Sequence, residues 1–217
     1  DGKTDQEWIR YVAEQTGDIL DFDAYKKDGL VKVKVDKPYV SFTKQIIDPQ
    51  NNPFPTSSGK IEIFCEYLAE MQNPDIPPIP KYIPGPEGYS DPLQKKYPLQ
   101  LITTHHKTAT HSTLNKIPWL EELEPRWVWL NTRDAEERGI SDGDKVLVFN
   151  DRGKVQMKVY VTERIMPGVV NIGHGAWFTF NEQGIDQGGC ENTLTPAVHS
   201  PGGAWPANTV LVEIRKA

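Results

Sequence analysis

Eight prolines fall within the 26 residues from Asn73 to Pro98 (NPDIPPIPKYIPGPEGYSDPLQKKYP), and no other stretch restricts the fold as strongly. Each proline removes a backbone donor and pushes the residue before it out of the helical region, which excludes helix and central strand here. The run predicts an extended arm laid along a neighbouring surface, so its length does not imply flexibility. It separates two stretches of different texture.

Before the arm, Trp8, Ile9, Val12 and Ala13 recur at helical spacing and Gly17 offers a stop, predicting one amphipathic helix over Asp5–Thr16. LVKVKV (Leu30–Val35) alternates as a half-buried strand, and PYVSF from Pro38 reads as a second extended piece. NNPFPTSSGK is turn-rich and leads into IEIFCEYLAEM, which starts like a strand and finishes like a helix. After the arm, LQLITT, RWVWLN, PGVVNIG and NTVLVEIRKA read as strands, and KVLVFNDRGKVQMKVYV as a hairpin turning at Asp151–Gly153. NTRDAEERG supplies Asn131 or Thr132 as a helix cap and Gly139 as a stop. Five or six short strands with one or two small helices favour a closed or nearly closed barrel over an open α/β sheet.

Composition narrows the function classes. A net charge of -6 gives no broad attraction for a nucleic-acid backbone, so no nucleic-acid partner is expected. No apolar run approaches the ~20 residues that span a bilayer, which predicts a soluble piece. The opening DGKTDQEWIRY has neither an initiator methionine nor an apolar leader and reads as an excised part of a longer protein. Cys65 and Cys190 form no CxxC pair, and a disulfide between them stays open. GxSxG, HExxH and GxGxxG do not occur, SGK at Ser58–Lys60 lacks the rest of a phosphate loop, and DGD at Asp142–Asp144 lacks calcium-loop spacing.

Two segments concentrate chemistry. THHKTATHSTLNK (Thr104–Lys116) crowds donors without a nearby carboxylate and suits a phosphate or an amide-rich heterocycle; a solvated polar loop and a structural metal are the competing readings. NIGHGAWFTFNEQGIDQGGCENTLTP (Asn171–Pro196) brackets His174 with Gly173 and Gly175, which permits close backbone approach. Its Trp177, Phe178 and Phe180 suit an apolar wall beside a flat ligand, or equally a tucked core. No carboxylate pair or Cys/His couple is placed for catalysis, and no catalytic residue is assigned.

PFPTSSGKIEIFCEYLAE, LITTHHKTATHSTLNKIPWL, WLNTRDAEERGISDGDKVLVFNDRGKVQMKVYVTERIMPGVV, HGAW and GGCENTLT, in this order, resemble the C-terminal region of the dimethyl sulfoxide reductase family of molybdopterin oxidoreductases. Within it, the catalytic subunits of the anaerobic dimethyl sulfoxide reductases are the branch most alike, with tetrathionate, thiosulfate and polysulfide reductases and acetylene hydratase as further relatives. The resemblance implies a mainly β protein with α/β elements. Residues 97–217 form a six-stranded double-psi β-barrel that binds a molybdopterin dinucleotide, residues 73–96 the connecting arm, and residues 1–72 the closing piece of a preceding α/β domain.

By the same resemblance, the loop after the first strand contacts dinucleotide phosphate or pterin through Thr103, Thr104, His105, Lys107, Thr110, His111 and Ser112. Asn131 reads the guanine end together with Asp134. His174, Trp177 and Asn192 approach the pterin or its phosphate tail, and Thr195 supports that loop. The cofactor implied is molybdopterin guanine dinucleotide with molybdenum or tungsten, with an iron-sulfur cluster in an N-terminal region; the piece itself is expected apo-competent, inactive alone and without a metal ligand of its own. The remaining N-terminal domains, an iron-sulfur electron-transfer subunit and a membrane-anchor subunit are the implied partners, and the whole protein works at the outer face of the cytoplasmic membrane or in the cytoplasm. Its reaction is reduction of an S-oxide, N-oxide or sulfur oxyanion. The alternative is a non-catalytic double-psi barrel that recognises a peptide or protein partner. What separates the two is whether His111 and Ser112 converge with His174 and Asn192 on one polar cleft.

Overall fold

The apolar–polar alternation that follows the proline-rich run becomes six strands: β1 (Leu99–Ile102), β2 (Val128–Leu130), β3 (Lys145–Phe149), β4 (Lys154–Val161), β5 (Val169–Asn171) and β6 (Val210–Lys216). They close into a barrel in the order β1-β5-β2-β4-β3-β6. The β1–β5 and β2–β4 pairs are parallel and the other four antiparallel, the interlocked crossovers of a double-psi barrel. Closure leaves no strand edge unpaired. Alternate residues point inward: Leu99 and Leu101, Val128 and Leu130, Val146 and Val148, and Val210, Val212 and Ile214 are all at most 1% exposed. Burying each contributes on the order of 1.5–3 kcal/mol.

The computed structural model describes residues 2–217, which form two compact units, residues 2–62 and residues 63–217. In the first, α1 (Asp5–Gln15) starts from a capping box between Thr4 and Glu7, and α2 (Phe22–Asp28) is capped by Asp21 and stopped by Gly29 at φ 74°. Arg10 joins the two helices, donating to Asp23 Oδ1 at 2.7 Å and lying over the Phe22 ring. A short α3 (Thr43–Ile47) follows. These short helices are what a fragment of an α/β domain supplies.

The strand expected over Leu30–Val35 is absent, as is one at Pro38. Alternation alone does not make a strand, because its backbone groups need a partner ladder and none of the described residues provides one. Val33 and Val35 are accordingly 57% and 70% exposed. Likewise IEIFCEYLAEM forms only its helical end, α4 (Glu66–Glu70).

In the second unit the proline-rich arm is tied to the barrel by polar contacts. Glu87 takes both Nη atoms of Arg152 and the Leu211 amide (2.9 Å), while Arg152 Nε donates to the Leu194 carbonyl (2.7 Å). The Tyr97 hydroxyl donates to Asp151 at 2.7 Å. The β3–β4 turn thus anchors the arm, as an extended, donor-poor segment needs. Cys65 and Cys190 are both free.

Candidate functional site

Because β1 and β5 run parallel and Ile102 sits beside Asn171, the chain leaves both strands at the same end of the barrel. The two chemistry-bearing loops therefore start side by side. The ladder continues into them: the Ile172 amide donates to Ile102, the His174 amide to Thr104 (2.8 Å), and the Thr104 amide to Asn171 Oδ1 (3.1 Å). From this base His105, His111 and His174 converge, with ring centroids 4.9–5.1 Å apart. His111 Nδ1 lies 2.9 Å from His174 Nε2, and Trp177 Nε1 donates to the Ser112 carbonyl at 3.1 Å.

The glycines beside His174 permit this approach. A Cβ on Gly173 would stand 1.9 Å from the His106 imidazole, and one on Gly175, at φ +96°, 2.2 Å from the His111 carbonyl oxygen. On its other side His174 Nδ1 meets Glu191 Oε1 at 2.6 Å, a carboxylate only 1% exposed that Gly175 N–H approaches at 3.4 Å. Asn192 follows Glu191 and is exposed, and its side-chain oxygen lies 3.4 Å from the buried Thr195 hydroxyl. Asp186, fully buried, organises the rest of the loop by accepting the amides of Thr179, Gly188 and Cys190, each at 2.8 Å.

A cavity of about 590 Å³ opens at the loop after β1, with Thr104, His106, Lys107 and Asn171 among its lining residues. Trp127, Trp129 and Tyr160 give it aromatic walls, and the Arg164 guanidinium lies 5.5 Å from the Trp129 ring centre. Burial pushes the His106 imidazole below its ordinary value, helped by Arg126, so this histidine is neutral near pH 7. Burial pulls Glu124 the other way, yet the Thr108 amide and hydroxyl, each donating at 3.0 Å, and His106 outweigh it and hold this carboxyl below the usual range.

A second cavity of about 390 Å³ shares Pro125 and Trp127 with the first and is lined by Asn115, Lys116 and Arg126. Asn115 Nδ2, Arg126 Nε and Arg126 Nη1 are buried without a hydrogen-bond partner among the described residues. A guanidinium left so costs several kcal/mol, which makes this a place for an anionic group.

Not all the residues expected at the site meet here. Thr103 bonds to Asn208, and Thr110 pairs with Thr113 in the bend of its own loop. Since β2 is antiparallel to β5, Asn131 and Asp134 lie at the opposite barrel end. There Asn131 caps α5 (Thr132–Glu137) and donates to the Ile165 carbonyl, and Asp134 accepts the Gly168 amide. Cys190 is no nucleophile: it is buried, and burial pushes its thiol up to about 11.

Sequence reasoning missed Glu191, Asn115, Arg126, Tyr160 and Arg164. The one available signal was the period-two placement of Trp127 and Trp129 in RWVWLN, which puts two indoles on one face of β2. Nothing in the sequence marks Glu191 as buried.

A family profile described as "Molydopterin dinucleotide binding domain" matches residues 99–211. The whole chain aligns at 40% identity with 28% of dimethyl sulfoxide reductase DmsA of Escherichia coli, and at 30% identity with 29% of a trimethylamine-N-oxide reductase of Haemophilus influenzae. It thus spans less than a third of these curated relatives. Among solved structures, acetylene hydratase from Pelobacter acetylenicus superposes with a TM-score of 0.65 at 21% identity, over 78% of this chain and 25% of that one, a likeness of fold. Among the described residues no helix is long and apolar enough to cross a membrane.

Proposed function

This chain belongs to the family of molybdopterin dinucleotide-binding domains, and from that premise we propose that its cleft holds molybdopterin guanine dinucleotide carrying molybdenum or tungsten. What supports the assignment most is the 2.9 Å contact of His111 with His174, which makes the loops after β1 and β5 two walls of one cleft. The donor set suits the ligand. His105, His111 and His174 offer ring nitrogens to a pterin or phosphate edge, and Ser112 and Trp177 hold the two walls together. Trp127, Trp129 and Tyr160 face a flat ring, and Arg126 and Asn115 supply unpaired donors for a diphosphate, with the Lys116 ammonium, which donates to Thr179 Oγ1 at 3.2 Å, lining the same cavity. Thr104 and Lys107 line the cavity, Asn192 follows the Glu191 that holds His174, Thr195 steadies Asn192, and Thr103 and Thr110 shape the loop.

When bound, the cofactor supplies the two-electron redox centre. This chain's own residues bind and orient it, and the complete protein reduces an S-oxide, an N-oxide or a sulfur oxyanion. In that protein residues 1–72 close a preceding α/β domain, residues 73–96 connect, and residues 97–217 bind the dinucleotide. An iron-sulfur cluster in an N-terminal region, an electron-transfer subunit and a membrane anchor bring the electrons, at the outer face of the cytoplasmic membrane or in the cytoplasm.

Titrating isolated molybdopterin guanine dinucleotide into the 217-residue chain tests this. His111→Ala and Asn192→Ala are each expected to weaken binding about tenfold, the loss of one good hydrogen bond. Unchanged affinity in both variants contradicts the placement.

A further inference from the structure

We infer that His105, His111 and His174 form a site for one divalent transition-metal ion of the zinc, nickel or copper class when no pterin fills the cleft. The inference does not rest on the dinucleotide proposal, since it uses only the geometry of three imidazoles and one buried carboxylate. One ring nitrogen from each histidine lies within 4.8 Å of the others. In a tetrahedral zinc site, with bonds of about 2.0–2.1 Å, ligand nitrogens stand about 3.3 Å apart. Small side-chain rotations bridge that difference, and His105 and His111 are exposed and free to make them.

Two further observations favour an ion. His111 Nδ1 and His174 Nε2 face each other at 2.9 Å, so one of the two nitrogens carries the proton between them and the other offers a lone pair. When that proton moves to the other nitrogen of its own ring, or to water, both facing nitrogens have a lone pair for a metal ion in its place. His174 Nδ1 is bonded to Glu191, whose buried carboxylate otherwise has, among the described residues, only the Gly175 amide, at 3.4 Å. A carboxylate behind a histidine fixes the ring with its other nitrogen turned to the metal and strengthens it as a ligand. Three imidazoles leave a fourth position open to water, as in catalytic rather than structural zinc sites.

The test uses the tag-free 217-residue chain, stripped with chelator and free of pterin. Zn²⁺ is titrated calorimetrically, and Co²⁺ uptake is followed by its visible ligand-field bands. One equivalent is expected to bind, with cobalt bands of a nitrogen-ligated low-coordinate ion. His111→Ala should weaken zinc at least 100-fold and Glu191→Gln about tenfold, the size of effect such outer partners have, while His199→Ala, outside the cluster, changes nothing. His105→Ala repeats the first test at an exposed position, and far-ultraviolet circular dichroism confirms that each variant is folded. Absence of stoichiometric binding, binding within twofold of wild type in folded His111→Ala and His105→Ala, or equal loss in His199→Ala overturns the site. Dinucleotide binding without zinc uptake overturns the metal site and leaves the proposed function standing; zinc uptake without dinucleotide binding does the reverse.

Discussion

Asp186→Ala is expected to destabilise the barrel unit by about 3 kcal/mol and to loosen the loop from Trp177 to Glu191. The Asp186 carboxylate is fully buried and accepts three amides at 2.8 Å, from Thr179, Gly188 and Cys190, and the Thr193 hydroxyl at 3.3 Å. Removing it strands these donors, and each unsatisfied buried donor costs about 1–3 kcal/mol. Asp186→Asn is no rescue. Both carboxylate oxygens accept, so an amide nitrogen in either place meets donors with a donor. Urea unfolding measures the loss, and amide exchange over residues 177–191 measures the loosening; a change below about 1 kcal/mol contradicts the role given to this residue.

Gly175→Ala carries the second large effect. At φ +96° an L-residue is strained wherever it stands, and here the new Cβ meets a backbone carbonyl, that of His111, at 2.2 Å. A flexible side-chain tip moves aside; a peptide group within an organised loop does so only by displacing the loop. We expect about 3 kcal/mol of destabilisation. Because the displaced segment is one wall of the cleft, dinucleotide affinity should fall at least ~100-fold, about 2.7 kcal/mol. Gly202→Ala is the control, since its Cβ finds nothing nearer than Ser200 Oγ at 3.9 Å. Equal behaviour of the two variants contradicts a close-approach requirement at Gly175.

The barrel was legible in the sequence because its strands are short apolar runs bounded by turns and each has a neighbour to pair with. LVKVKV has the pattern without the neighbour, so Leu30–Val35 reads as strand and is not one. Pairing partners are set by tertiary structure, and local alternation does not report them. The same limit governs the site. Gly173 and Gly175 were readable as points of close approach because glycine has a local meaning. The meeting of His111 with His174 depends on β1 lying parallel to β5, which no spacing within either loop contains. Glu191 and Asp186 look like ordinary loop acids, yet the fold encloses them at 1% and 0% exposure. Asn131 shows the opposite case. The same side chain suits ligand recognition and helix capping, and in the fold its oxygen caps α5 while its amide reaches Ile165.

The most direct test of the dinucleotide cleft is to record backbone amide shifts of the ¹⁵N-labelled chain with and without molybdopterin guanine dinucleotide. The predicted result is a connected set of perturbed amides in the loops after β1 and β5, centred on His105, His111, His174 and Trp177, and extending to Asn115 and Arg126 beside the second cavity. Perturbations confined to other faces of the barrel, or none at saturating ligand, would contradict it.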